Sequence, residues 1–316
     1  MASGIMLFDS FFVVAGQVLV LFILIAIGYF FGKLKILNDG GIKCINDVMM
    51  YLVVPCVIIN IFQREFTPEL LVSLLRCMLA ALLAHVLSFV LIFFFIRKEE
   101  ENKKRVLRFA AIFCNCGYMA LPLIEAMLGT EGLFFGAGYL AIFNLLAWSF
   151  GRYDMAKGNE KFSFKSAFVN PGIIATIIGI ILFVGSIRLP DVLHSPIASL
   201  AALNTPVPML IIGYTISTFN IKKLFELRDI YSAVIVRLLL TPLILLGILY
   251  AVGFRGAELL TIMISASTPS GAFTTMFAIK YGNDVETASR IVSVTTVFSM
   301  ITMTVIVGLS RFLAYM

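Results

Sequence analysis

Apolar runs, each about as long as a bilayer is thick and each closed by a charged or Pro/Gly-rich break, follow one another from one end of the chain to the other. They lie near residues 11–32, 45–62, 70–96, 107–128, 133–150, 169–187, 197–218, 230–252, 258–280 and 287–313. A crossing takes roughly 20 apolar residues, so ten of them use about 200 and leave only short loops. The chain is 60% apolar and 13% charged, with a mean hydropathy of +1.02, which no soluble globular domain carries. The expected fold class is therefore an all-α polytopic membrane protein of ten transmembrane helices, with no sizeable soluble domain. The first run, Phe11 to Gly32, is too long for a signal-peptide core and is preceded by Asp9 with no Lys or Arg, so it reads as a retained span.

Charge gives the orientation. With the amino terminus outside, the inner loops collect 18 of the 24 basic residues, among them Lys33, Lys35, Lys43, Arg97, Lys98, Lys103, Lys104, Arg105, Arg108, Arg152, Lys157, Lys161, Lys165, Lys222 and Lys223. Positive-inside bias then places both termini outside. The net charge of +6 reflects this topology and contact with lipid head groups, and no basic cluster interleaved with aromatics invites nucleic acid.

Sliding the second half over the first by 153 residues, without a gap, superimposes punctuating residues over a long stretch. Gly32 falls on Gly185, VPCVII around Pro55 on VPMLII around Pro208, Phe66 on Phe219, Leu107 on Leu260 and Gly129 on Gly282. The glycines and prolines carry the weight, because their backbone roles do not fall into register by composition alone. Two five-span halves, 1–157 and 158–316, follow. An odd number of spans inverts the second half relative to the first, which is a transporter signature.

In inverted-repeat carriers the site lies near the midplane, where broken helices turn exposed N–H groups and half-helix dipoles on an anion. Span four reads FCNCGYMALPLIEAM and span nine SASTPSGAFTTM. Asn115, Gly117, Tyr118 and Pro122 in the first, with Thr268, Pro269, Ser270 and Gly271 in the second, are the expected substrate-binding residues. At the offset of 153, Asn115 lies over Thr268 and Gly117 over Ser270. Irregular backbone at this depth is tolerated only against protein or a water-lined cavity.

Other polar residues admit two readings each. Asn144 in span five lines the site or bonds helix to helix. Arg237, about two turns into span eight, meets a substrate carboxylate or, as we favour, snorkels to the inner head groups or forms a structural pair. His85 is a proton relay or, preferably, a hydrogen-bonded core residue. Asn46 and Asp47 open span two as a cation site or as a helix cap. Lys280 and Glu125 read as topological or structural, and EEENKKR at 99–105 as a solvated loop. The five cysteines form no CxxC pair and indicate neither disulfide nor zinc, so no metal or other cofactor is expected. Two histidines, His85 and His194, set apart in a span and an outer loop, leave no acid-base set for an intramembrane enzyme.

NCGYMALPL at 115–123, NPGIIATIIGIIL at 170–182 and TPSGAFTTMFAIKYGNDVETAS at 268–289 resemble the auxin efflux carrier family, including bacterial members similar to malonate and other dicarboxylate permeases. The resemblance implies a ten-helix fold with broken helices four and nine crossing at the site. It implies a mobile domain of spans 3–5 and 8–10, and a scaffold of spans 1, 2, 6 and 7 that often dimerises. An elevator-like movement of a small organic anion across a bacterial plasma membrane, as uniport or with protons as coupling ion, is what the family leads one to expect. Asn115 and the backbone around Pro122 and Pro269 would touch the substrate, with Ser270 and Gly271 beside them. Tyr118 stands where Phe is usual, Ala120 where Gly is common, and the loop at 151–168 is short, so auxin specificity is not implied. A membrane sensor or assembly subunit with the same fold is the alternative.

Overall fold

The computed structural model describes residues 2–96, 99–156, 168, 170–218 and 228–316. Arg97, Lys98, Lys157, Lys161, Lys165, Lys222, Lys223 and Phe219 lie outside these. Among the described residues every regular element is a helix, as lipid requires: a backbone N–H or C=O without water must find its partner inside the chain. In chain order the helices are α1 (Ala2–Lys33), α2 (Asp39–Val48), α3 (Val54–Ile61), α4 (Pro68–Phe95), α5 (Glu101–Ile112), α6 (Leu121–Leu146), α7 (Arg152–Met155) and α8 (Pro171–Val184). There follow α9 (Asp191–Ala201), α10 (Pro206–Thr218), α11 (Arg228–Ile235), α12 (Thr241–Ala251), α13 (Gly256–Ser267), α14 (Phe273–Tyr281) and α15 (Val285–Ala314). Continuous stretches of these make seven segments long and apolar enough to cross a membrane, and Pro171–Val184 and Gly256–Ser267 are shorter apolar helices beside them. The chain is thus a polytopic helical membrane protein. Its outward side chains are apolar, with Leu79 68% and Ile301 67% exposed, as a surface bathed in acyl chains should be.

Local chemistry sets the helix ends. Asn38 accepts from Gly41 N at 2.9 Å to start α2, Thr67 from Leu70 N at 3.2 Å to start α4, and Asp284 from Thr287 N at 2.9 Å to start α15. Such caps are worth about 1 kcal/mol each. The cap at Asn38 corrects the expectation for Asn46 and Asp47, which lie inside α2 and neither open nor cap a span.

Prolines shape the interior of the spans. The π-turns Met49–Val53, Cys116–Ala120 and Val236–Leu240 run directly into Val54-Pro55, Leu121-Pro122 and Thr241-Pro242. A proline ring collides with the carbonyl four residues before it, and one wider turn moves that carbonyl away without ending the helix.

The 40-residue segment Cys116–Met155 would be about 60 Å long if straight, twice the hydrocarbon thickness. Gly129, with φ 60° and ψ −149°, divides it in two, a conformation open to glycine alone. Gly282, the residue 153 positions on, closes α14 with φ 61°. In the packed bundle α1 lies along α10, α3 along α8 and α9, and α13 between α6 and α15.

Candidate functional site

Helix α5 stops at Phe113 and α13 at Thr268, and the two interruptions cross. Asn115 N donates to Pro269 O at 2.8 Å and Gly271 N donates to Phe113 O at 3.0 Å, a short antiparallel bridge between Cys114 and Ser270. Backbone groups freed at membrane depth need partners, and each interruption supplies the other's. A Cβ on Gly271 would lie 2.9 Å from Cys114 O, so only glycine lets the strands approach this closely. Ser270 is tied further: its Oγ donates to Ala110 O at 2.8 Å, and its N donates to Thr295 Oγ1 at 3.1 Å.

Arg237 sits behind the crossing, only 1% exposed, where the π-turn ahead of Pro242 directs it inward. Nε donates to Thr268 O at 3.1 Å, Nη1 to Ile112 O at 3.4 Å and Nη2 to Ala266 O. These carbonyls belong to the ends of α5 and α13, where the helix dipole is negative. Arg237 therefore does not snorkel to the head groups. Its depth in the span was readable from the sequence, but not the side to which it points.

Beside the crossing lies a pocket with about 460 Å³ free of protein atoms, part of it open to the outside. Asn115, Gly117 and Tyr118 form one wall, Phe143 and Asn144 a second, and Met50, Val54, Asn170 and Gly172 a third, with Phe273 alongside. Among the described residues no charged side chain lines it, and its side-chain polarity comes from three amides and a phenol. The first turn at Cys116 and that of α14 at Phe273 begin here without any side-chain cap. Helix-starting N–H groups have no partner within their own helix.

Four of the nine expected residues, Asn115, Gly117, Tyr118 and Asn144, line this pocket. Thr268, Pro269, Ser270 and Gly271 are buried in the crossing itself. Pro122 lies in the first turn of α6, outside the pocket lining, because the helix stops earlier, at Phe113. Asn144 is 4% exposed, and its Nδ2 has no hydrogen-bond partner. A buried amide left so is unfavourable by about 1–3 kcal/mol, which a polar ligand in the pocket would relieve.

Sequence reasoning missed Asn170. Its Oδ1 accepts from Gly172 N at 2.8 Å and Ile173 N at 3.2 Å, the capping role that Asn-Pro-Gly announces. That the cap also lines the same pocket as Asn144 was not legible. Also missed was Asn204, whose Nδ2 donates to Gly117 O at 3.3 Å. His85 packs at the crossing's back, its Nδ1 2.7 Å from Ala81 O and its ring beside those of Phe113 and Tyr139. Among the described residues no group of three or more His, Cys, Asp or Glu could hold a metal ion.

A family model described as "membrane transport protein" matches residues 13–157 and 154–307. An uncharacterized transporter of Methanothermobacter thermautotrophicus is 24% identical over 295 residues, covering 90% of this chain and 95% of that protein. An uncharacterized transporter of Methanocaldococcus jannaschii is 24% identical over 294 residues, covering 90% and 94%.

Proposed function

We propose, from the premise that this chain belongs to the membrane transport protein family of auxin efflux carriers, that it carries small organic anions across the plasma membrane by alternating access. The observation that carries this reading is the pocket where two uncapped half-helix starts meet Asn115 and Asn144 with no carboxylate among its lining. Free N–H groups and the positive ends of half-helix dipoles favour an anion, and amide donors orient a carboxylate. The substrates in this reading are mono- and dicarboxylates such as malonate or malate, or auxin-like acids, whose carboxylates the amides and N–H groups would orient.

The architecture in this proposal is ten crossings in two inverted five-helix repeats. Joining α5 to residues 116–128, and α13 to α14, as broken crossings, and separating 130–155 at Gly129, brings the helices to that number. The repeat is supported by Ser88 and Thr241, 153 residues apart, whose hydroxyls meet at 3.2 Å, as residues on a two-fold axis would. The two family matches also meet at residues 154–157.

The transport step would be a displacement of spans 3–5 and 8–10 against a scaffold of spans 1, 2, 6 and 7, which forms a homodimer. A pocket lined from both sets, by Asn115 and Asn144 on one and Val54 and Asn170 on the other, fits that division. Both termini outside follows, in this reading, from the basic loops; the bacterial inner membrane is what the family resemblance implies.

The test is uptake of labelled malonate, malate, succinate and indole-3-acetate into liposomes holding the purified chain, with and without an imposed potential or proton gradient. Saturable uptake of one acid, lost in Asn115→Ala protein of normal membrane abundance, is the expected result. Binding of an acid without flux would replace the carrier by a sensor.

A further inference from the structure

We propose that Arg237 is the built-in cation of the transport site, occupying the place where a carrier of this design would otherwise bind a metal cation together with its anion. The inference rests on the carrier reading above. Where helices stop in mid-membrane, their N–H ends face anions and their carbonyl ends coordinate cations such as sodium. Here the carbonyl ends of α5 and α13 converge, and Ile112 O, Ala266 O and Thr268 O all accept from one guanidinium. A metal ion bound to those oxygens would need the space that the guanidinium holds.

Charge balance points the same way. Arg237 is 1% exposed, and among the described residues no Asp or Glu lies within ion-pair distance of it. A buried charge with no counterion is strongly unfavourable unless something opposes it. The carbonyl dipoles oppose part of it. An anion in the pocket, on the N–H side of the same crossing, supplies the rest.

Among the described residues the other titratable groups behind the crossing are His85, whose Nδ1 meets Ala81 O, and Cys114, Cys116 and Tyr139, with Cys114 Sγ 3.7 Å from the Tyr139 hydroxyl; none of them is a carboxylate. A guanidinium keeps its proton throughout, so this charge stays in place during the cycle, whereas a coupling metal ion arrives and leaves. A monoanion should then move one net negative charge per turnover, with no metal ion beside it.

The experiment compares uptake of labelled malonate and indole-3-acetate by the full chain in liposomes, in sodium, lithium, potassium or choline salts of equal ionic strength. Thermal unfolding of the purified chain in the same salts is read in parallel, since it needs no transport. Wild-type uptake and Tm should be the same in all four. Arg237→Gln should lose uptake by about tenfold or more and acquire a Tm that rises in sodium over choline, as the emptied carbonyl cage takes an ion. Arg237→Lys should regain part of the uptake without any sodium dependence.

Sodium-dependent uptake or a sodium-raised Tm in the wild type or the Lys variant would overturn the inference, as would full uptake by Arg237→Gln in choline. Should Arg237→Gln fail to fold, the wild-type salt series and the Lys variant still decide. Absence of anion uptake in every salt would defeat the carrier reading, and the Tm series would still report whether a metal ion enters the crossing.

Discussion

The two interruptions that cross at the centre of this molecule look alike in sequence and do different work in the structure. The first, Phe113 to Cys116, opens onto the pocket through Asn115, Gly117 and Tyr118. The second, Thr268 to Ala272, turns its hydroxyls into the protein: Thr268 Oγ1 donates to Ser265 O at 2.8 Å and Ser270 Oγ to Ala110 O at 2.8 Å. Only Phe273, just beyond it, reaches the pocket. A broken helix in a membrane is therefore not by itself a ligand site. What separates the two is where their side chains turn: Thr268 and Ser270 of the second bond into the protein, whereas the first faces the pocket that Asn144, its Nδ2 unpaired, also lines.

That contrast can be broken from either side. The largest effect is expected at Gly271→Val, whose Cβ would press on the Cys114 carbonyl from 2.9 Å. The obstacle is backbone, so the crossing must separate, with a loss of about 3 kcal/mol visible as a fallen Tm and reduced folded yield. A Gly271→Val protein as stable as the parent would show that the crossing is not close-packed.

Next, Asn115→Ala should lower substrate affinity about tenfold, or about 1.4 kcal/mol, with Tm little changed. An unchanged affinity would remove Asn115 from the site. Asn144→Leu, read by the same two measurements, should raise stability by about 1 kcal/mol, because it deletes an unpaired buried donor, while weakening binding. A rise in affinity would contradict its role.

Ser270→Ala should cost about 1 kcal/mol of stability through the lost bond to Ala110 and leave affinity alone. A changed affinity would mean that the second interruption binds ligand after all. The smallest effect belongs to Gly117→Ala, whose Cβ would meet Leu140 Cδ1 at 3.5 Å, an ordinary contact. Its stability should stay within about 0.5 kcal/mol of the parent, in contrast to Gly271, and a large loss would erase the asymmetry.

Much of this was legible without coordinates. Apolar runs of bilayer length, closed by charge, determined a helical membrane chain, because lipid offers an unpaired backbone group nothing else. Asn-Cys-Gly and Thr-Pro-Ser-Gly marked where helices would stop, since Gly and Pro act on their own backbone whatever surrounds them. Which freed group meets which partner was decided only by packing. Cys114 opposite Ser270, Arg237 turned onto three carbonyls and Asn170 brought to the same pocket as Asn144 from a different span all join segments distant in sequence. A residue type announces what the backbone at its own position can do, whereas its neighbour in space depends on the way every other helix has found its place.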